Sequence, residues 1–435
     1  MAGRDIVLIC TVGGSHQPIV TAIGQMRPRF VCFICTGRDP ATGQPGSEVQ
    51  ITGKGNVIKA NRDDKGPSLP NIPAQTGLAD DQFEVCLVPS DDLDAAYKAI
   101  SDLLTKMLQR FPDAVHVADY TGGTKTMTAA LVMAALETEG IELRLVTGPR
   151  ADLIKVRDGT ESSIVASAEH LRLRRAMAPY LSAWGRYAYG EACQGLATIP
   201  APRHPQLRSD LHIARDLSCA FDAWDRFDYG RALEVLRIYQ PRVGQGLGRH
   251  FTCLSLLTAP DEDPRREAAR LWDLWRNAER RAVQGRYDDA VARVYRLLEW
   301  TAQWLLRARA AIDTSNLRQD SIPDRVRITT NHRGEHQAGL LAAWDLVAHH
   351  LDTEAARWVQ AERSCLQDHI KMRNDSILAH GYRPVDRGDW ERLAEWVTTS
   401  FIPALAAEAD RAGVRHAPPQ LPQQPPWQSD GRLTS

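Results

Sequence analysis

Arg373 and His380 bracket the stretch Arg-Asn-Asp-Ser-Ile-Leu-Ala-His, with Lys371 just before it and Gly381-Tyr382 just after. A helix running from residue 352 to about 380 sends both side chains to one face, with Ile377 between them, because a separation of seven residues is almost two turns. A fixed cation and a titratable imidazole on one surface suit cleavage of RNA without a metal. The imidazole exchanges protons with the 2′-hydroxyl and the leaving 5′-oxygen, and the guanidinium holds the phosphate. The same pair taken alone also describes an ordinary solvated helix face, so its meaning depends on its setting.

Two Gly-rich turns supply that setting. The apolar run Ile6–Thr11 reads as a buried strand and leads into Gly13, Gly14, Ser15, His16 and Gln17, with Pro18 opening a helix. Residues 114–118 read as another strand, followed by Asp119-Tyr-Thr-Gly-Gly-Thr-Lys-Thr-Met, in which Thr121, Gly122, Gly123, Thr124 and Lys125 form the turn into a small-residue helix. In a doubly wound sheet of order 3-2-1-4-5 the first and fourth strands are neighbours where the winding reverses, and ligands bind at their carboxyl ends. Both turns then line one crevice, with helix-start amides aimed at an anion. Gly-Gly-Thr-Lys-Thr lacks the order of a nucleotide triphosphatase loop, and the dinucleotide fingerprint is absent from the first turn. A phosphate-bearing ligand fits best, with Lys125 as its point charge and Asp119 as a cap or brace; a tight turn with no ligand stays open.

The elements that position these residues follow from patterning. Strands and helices alternate over the first ~165 residues, which implies an α/β, Rossmann-like sheet. Further strands fall at Phe30–Thr36, Phe83–Val88 and Ile141–Thr147; Asp91 or Asp92 caps a helix to about residue 109, and residues 153–156 and 163–166 suggest an antiparallel pair. Residues 37–78 form a polar, Gly- and Pro-rich insertion too long for an ordinary connection. Beyond His170 the pattern is all-α, with Trp and Leu at three- and four-residue steps, and two similar segments at 224–236 and 284–296 look like helical hairpins. Residues 315–335 read as a polar, irregular crossing, and the Pro- and Gln-rich end, from about residue 417, as disordered and dispensable.

With 435 residues, 43% hydrophobic and 25% charged at a net charge of −1, the chain has room for two or three domains and carries no basic coat for bulk nucleic-acid binding. No apolar run approaches the ~20 residues that cross a bilayer, and nothing at the amino terminus resembles a signal peptide, so a cytoplasmic protein without a membrane partner is expected. The eight cysteines are scattered; Cys32 and Cys35, three apart on a strand, face opposite ways and make a poor metal or redox pair.

The stretches at 11–19 and 119–127, together with Arg373-Asn374 followed by His380, resemble the CARF/HEPN ancillary ribonucleases of type III CRISPR systems, the Csm/Csx type. Residues 287–299 are similar to that family's first nuclease-domain helix. The resemblance implies a CARF-like sensing domain at 1–168, a helical connecting region at 169–280, a HEPN ribonuclease domain at 281–412 and a disordered tail at 413–435. It implies that residues 13–17 and 121–125 hold cyclic oligoadenylate as an allosteric activator, and that Arg373, His380 and Asn374 act on single-stranded RNA. Catalysis would need no metal or other cofactor, would leave 2′,3′-cyclic phosphate and 5′-hydroxyl ends, and would occur in a homodimer. Destruction of the activator within the CARF pocket is open. An alternative is a ligand-responsive regulator without nuclease activity.

Overall fold

The apolar runs of the first third become the inner strands of a sheet covered on both faces. The computed structural model describes residues 5–39, 42–58, 68–147, 150–151, 155–156, 162–378 and 381–427. It divides into two compact units, Met1–Arg175 and Ala176–Ser435. In the first unit β1 (Ile6–Thr11), β2 (Phe30–Thr36), β3 (Phe83–Val88), β4 (Val115–Asp119) and β5 (Ile141–Thr147) run parallel in the order β3-β2-β1-β4-β5. This is the order expected of a doubly wound sheet. Strand alternation sends Val7, Ile9, Cys32 and Ile34 to one face and Leu8, Cys10, Phe33 and Cys35 to the other. Cys32 and Cys35 are thereby separated by the sheet.

Helix α1 (Gln17–Met26) starts with Pro18 in its first turn and covers one face. On the other face lie α4 (Leu93–Arg110), capped by the Asp92 carboxylate at 3.0 Å from the Ala95 amide, and α5 (Lys125–Glu137), capped by Thr124. The insertion is a lobe of this unit. It contains the short helices α2 (Val49–Thr52) and α3 (Ile72–Thr76), and it buries Ile51 and Ile72 in the core beside α1. Residues 40–41 and 59–67 of it lie outside the described residues.

The expected pairing of residues 153–156 with 163–166 is not what forms. β6 (Arg150–Ala151) pairs with β7 (Lys155–Val156), and β8 (Ser162–Val165) runs antiparallel along β5. The free edge of β5 presents a whole row of backbone groups, so pairing there satisfies more of β8 than a short ribbon would.

The second unit is helical. α6 (Glu169–Ser182) spans the boundary; α7 (Tyr189–Thr198), α8 (Pro205–Asp225), α9 (Tyr229–Leu257), α10 (Pro264–Val283) and α11 (Tyr287–Ala310) follow. The similar segments at 224–236 and 284–296 are indeed hairpin turns, each with one residue at positive φ, Phe227 and Gly285. Cys193 of α7 and Cys219 of α8 form a disulfide that spacing did not suggest. Residues 311–339 carry a two-stranded ribbon, β9 (Thr329–Thr330) and β10 (His336–Gln337), before α12 (Leu340–His350), α13 (Glu354–Asn374), α14 (Arg387–Trp396) and, after one π turn, α15 (Ile402–Arg411).

Two expectations change here. α13 stops at Asn374, not near 380, so the helix expected to run on from Arg373 ends one residue after it. Asn374, Asp375 and Ser376 are residues whose side chains compete with helical backbone bonding, and the Ser376 amide closes a tighter turn on the Arg373 carbonyl at 3.0 Å. The tail is also more ordered than its composition suggests. Leu421 is buried with the α8 and α9 side chains, Tyr189 donates to the Pro422 carbonyl at 2.7 Å, and Trp427 packs edge-on against Trp184. A groove that needs Leu421 outweighs the low overall hydrophobicity of the segment; residues 428–435 lie outside the described residues.

Candidate functional site

The two Gly-rich turns meet. Cys10 of β1 stands beside Asp119 of β4, and the chain leaves both strands on the same side. A Cβ on Gly13 would lie 2.5 Å from the Gly123 nitrogen, and one on Gly122 would collide with the Thr11 carbonyl oxygen. Gly123, at φ +88°, packs on the Thr11 Cβ. Backbone against backbone is a contact only glycine permits, and it joins the turns that lead into α1 and α5. Thr11 Oγ1 and Thr128 Oγ1 both donate to the Gly122 carbonyl, at 2.6 and 2.9 Å.

Asp119 braces the second turn. Its Oδ1 accepts from the Thr121 amide at 2.9 Å and from the Thr121 hydroxyl at 2.5 Å, while Thr121 Oγ1 accepts from the Val146 amide. Burial pushes its carboxyl pKa up, against the Thr121 hydrogen bonds and the Arg144 charge. Gly14, Ser15 and Lys125 are exposed, and His16, Gln17, Thr121 and Thr124 half-buried, so this rim offers amides, hydroxyls and one ammonium to a ligand. Sequence reading missed Gln50. From the insertion, its Nε2 donates to the Gly13 carbonyl at 2.5 Å, so α2 props the first turn from outside. Nothing in the local sequence marks that contact.

The other site is the end of α13 in the second unit. The Arg373 guanidinium lies over the Tyr295 ring of α11, 4.4 Å from its centroid, and Arg373 Nη1 donates to Asn374 Oδ1 at 3.2 Å. Burial raises the Tyr295 pKa and the Arg373 charge opposes it. Arg373 and Asn374 are thus brought together; His380 lies, with Ala379, outside the described residues. On either side of that pair the chain is pinned: the Gly381 amide bonds the Ser376 carbonyl at 3.1 Å and the Ile377 amide bonds the Arg383 carbonyl at 3.0 Å. Asp288 of α11 accepts from the Val385 amide at 3.2 Å, and Asp389 of α14 holds Arg383 at 3.0 Å. A cavity of about 300 Å³ opens beneath this loop. Asp368, Lys371, Met372 and Asp375 line it at helical spacing, on a different face of α13 from Arg373.

Against known proteins, residues 262–402 match the family model described as the Csm6 HEPN domain. The second unit contains a HEPN domain of the Csm6 kind. Its matched range takes in α10, which the sequence reading placed in the connecting region, and holds Tyr295, Arg373 and Asn374. A solved structure of Enterococcus italicus Csm6 bound to cyclic hexa-2′-fluoro-hexa-dAMP is 12% identical, covering 94% of this chain and 95% of that one at a TM-score of 0.55. A structure of Can2 from Sulfobacillus thermosulfidooxidans in complex with cyclic tetra-adenylate is 15% identical over 58% of this chain and 66% of its own, at a TM-score of 0.22. No curated protein matches the sequence. The HEPN part of the resemblance read from the sequence stands, and the expected fold with it: a Rossmann-like unit precedes an all-α region containing the HEPN match. No described helix is long and apolar enough to cross a membrane.

Proposed function

We propose that this protein is an endoribonuclease of type III CRISPR defence, switched on by cyclic oligoadenylate and cutting single-stranded RNA without a metal. The observation that carries the reading is the placement of Arg373 and Asn374 at the end of α13 within the HEPN match. In this mechanism the Arg373 guanidinium binds the scissile phosphate and stabilises the charge that builds on it, and Asn374 aims the guanidinium through its 3.2 Å hydrogen bond. His380 takes the 2′-hydroxyl proton or delivers one to the 5′-oxygen, so the products carry a 2′,3′-cyclic phosphate and a 5′-hydroxyl.

The joined turns at 13–17 and 121–125 are the proposed activator site, where the two helix starts and Lys125 meet a phosphate-rich ring. A homodimer fits a symmetric ligand and would set two Arg/His pairs together. Ile377, Leu378 and Tyr382, respectively 54%, 57% and 93% exposed beside Arg373, support a surface covered by a second copy.

The decisive assay incubates the full chain with labelled RNA in EDTA, adding cyclic tetra-adenylate and cyclic hexa-adenylate separately and following RNA and activator together. Cleavage in EDTA only with one of these rings is the expected result, abolished by His380→Ala. Cleavage unaffected by His380→Ala would refute the site, and cleavage independent of either ring would refute the switch.

A further inference from the structure

Between α11 and α12 the chain makes a surface excursion, residues 311–339, whose four acids balance its four arginines overall, but three of those arginines fall in one acid-free stretch between Asp324 and Glu335. Residues 325–334, Arg-Val-Arg-Ile-Thr-Thr-Asn-His-Arg-Gly, hold three arginines and a histidine and no acid, within a chain of net charge −1. Exposure alternates along it: Arg325, Arg327 and Thr329 face solvent, while Val326 and Ile328 pack on the helical core. Arg333 is exposed at the tip of the ribbon. None of the three arginines has an ion-pair partner among the described residues, whereas most arginines on the neighbouring helices do, such as Arg293, Arg296, Arg307 and Arg363.

The excursion is fixed in place. Leu317 and Ala338 bond across its base, to the His336 and Thr314 carbonyls at 2.8 and 2.9 Å, and His350 of α12 reaches the Ser321 carbonyl at 2.9 Å. Solvent-facing guanidiniums without an ion-pair partner among the described residues, two on the segment before the ribbon and one at its tip, are suited to a chain of phosphates.

We infer that Arg325, Arg327 and Arg333 form a binding tract for the sugar-phosphate backbone of single-stranded RNA outside the scissile nucleotide. The inference rests on the ribonuclease reading and gives the enzyme a preference for length. A near-neutral protein with no basic coat needs such a local tract to hold an RNA beyond the one phosphate at Arg373.

The test compares the full-length protein with Arg325→Glu/Arg327→Glu/Arg333→Glu, and with an equal charge change elsewhere, Arg231→Glu/Arg237→Glu/Arg242→Glu on α9. Binding of a long oligouridylate is followed by anisotropy across a salt series, and cleavage of long and short oligouridylates is measured with activator. The tract variant should bind the long RNA at least tenfold more weakly. Its log-affinity against log-salt slope should fall by about 2, given ~0.7 per phosphate neutralised on a single strand. Its KM should rise for the long RNA alone, with kcat preserved. An unchanged slope and KM, or an equal loss in the α9 variant, would overturn the tract while leaving the ribonuclease reading intact. Weakened binding in a protein that never cuts RNA would keep the tract and overturn the nuclease.

Discussion

At the scale of single residues, the HEPN site is defined by what holds Arg373. A guanidinium stacked on Tyr295 and bonded to Asn374 loses less freedom on meeting a phosphate than one free in solvent. Arg373→Ala should cut kcat about 10²–10³-fold, the range for removing one group that stabilises transition-state charge, with KM for RNA little changed. Single-turnover cleavage under saturating activator measures it; a kcat within twofold of the parent would remove Arg373 from the mechanism. Tyr295→Phe keeps the ring and should be near neutral, whereas Tyr295→Leu should slow cleavage by about two- to thirtyfold, the rate equivalent of a ~0.5–2 kcal/mol cation–π contact. Equal rates for the two would show that the ring only fills space. In the crevice, Gly13→Ala sets a methyl 2.5 Å from the Gly123 nitrogen and must part the two turns. Activator affinity by calorimetry should fall at least tenfold, while a variant that binds normally would show that the turns need not touch.

The elements show where sequence was sufficient and where it was not. β1 and β2 are legible to the residue because buried parallel strands read as unbroken apolar runs between turn residues, and β3 and β5 because they alternate or nearly alternate apolar and polar residues as half-covered strands do. The Gly-rich turns are legible for a related reason: strand order alone brings them together. The end of α13 is not, because the apolar spacing continues past Asn374 to Ile377, and the helix-breaking run Asn374, Asp375 and Ser376 acts together with a glycine beyond the turn. A Cβ on Gly381 would run into the Asp375 carbonyl, so this residue lets the returning chain lie against the last turn of the helix. Gly381→Ala should therefore displace the loop that carries the candidate base relative to Arg373. Expected is a loss of cleavage of at least tenfold with Tm lowered by only a few degrees, read by activity and melting on one preparation; full activity would show that the loop's path is not needed. The Gln50 contact to Gly13 is invisible to sequence for the same reason, since it joins residues 37 apart across a lobe with no periodic signal.

Across the second unit as a whole, a buried charge network ties the connecting helices to the HEPN domain and to the tail. Arg280, fully buried, pairs with Asp225 at 2.7 Å and donates to Gln420 Oε1 at 2.7 Å; Asp273 accepts from Trp224 and Tyr229; Asn277 bonds Asp225 and, from α11, receives Arg293. Such a network holds one arrangement of α8, α9, α10 and α11, because any shift strands a buried charge. The tail completes it. His250 sits edge-on to Phe221 and Trp224, its Nε2 3.0 Å from the Gln420 carbonyl, and burial lowers its pKa chiefly by desolvation. For a histidine whose folded pKa lies below its unfolded value of ~6.5, the neutral ring is the folded form, so its contribution is complete above that pH. As pH falls, the unfolded chain takes up the proton first, and stability drains away until the folded pKa is passed. Melting temperature should thus fall more steeply from neutral to mildly acid pH in the parent than in His250→Gln, which keeps a donor for Gln420 but cannot titrate; parallel curves would assign the acid loss to other groups. Leu421→Ala, which empties the groove without touching a charge, should lower stability by ~2–5 kcal/mol at every pH. If it leaves the melting temperature unchanged, the tail rests on the helices without supporting them, and the network of Arg280, Asp225 and Asp273 closes without it.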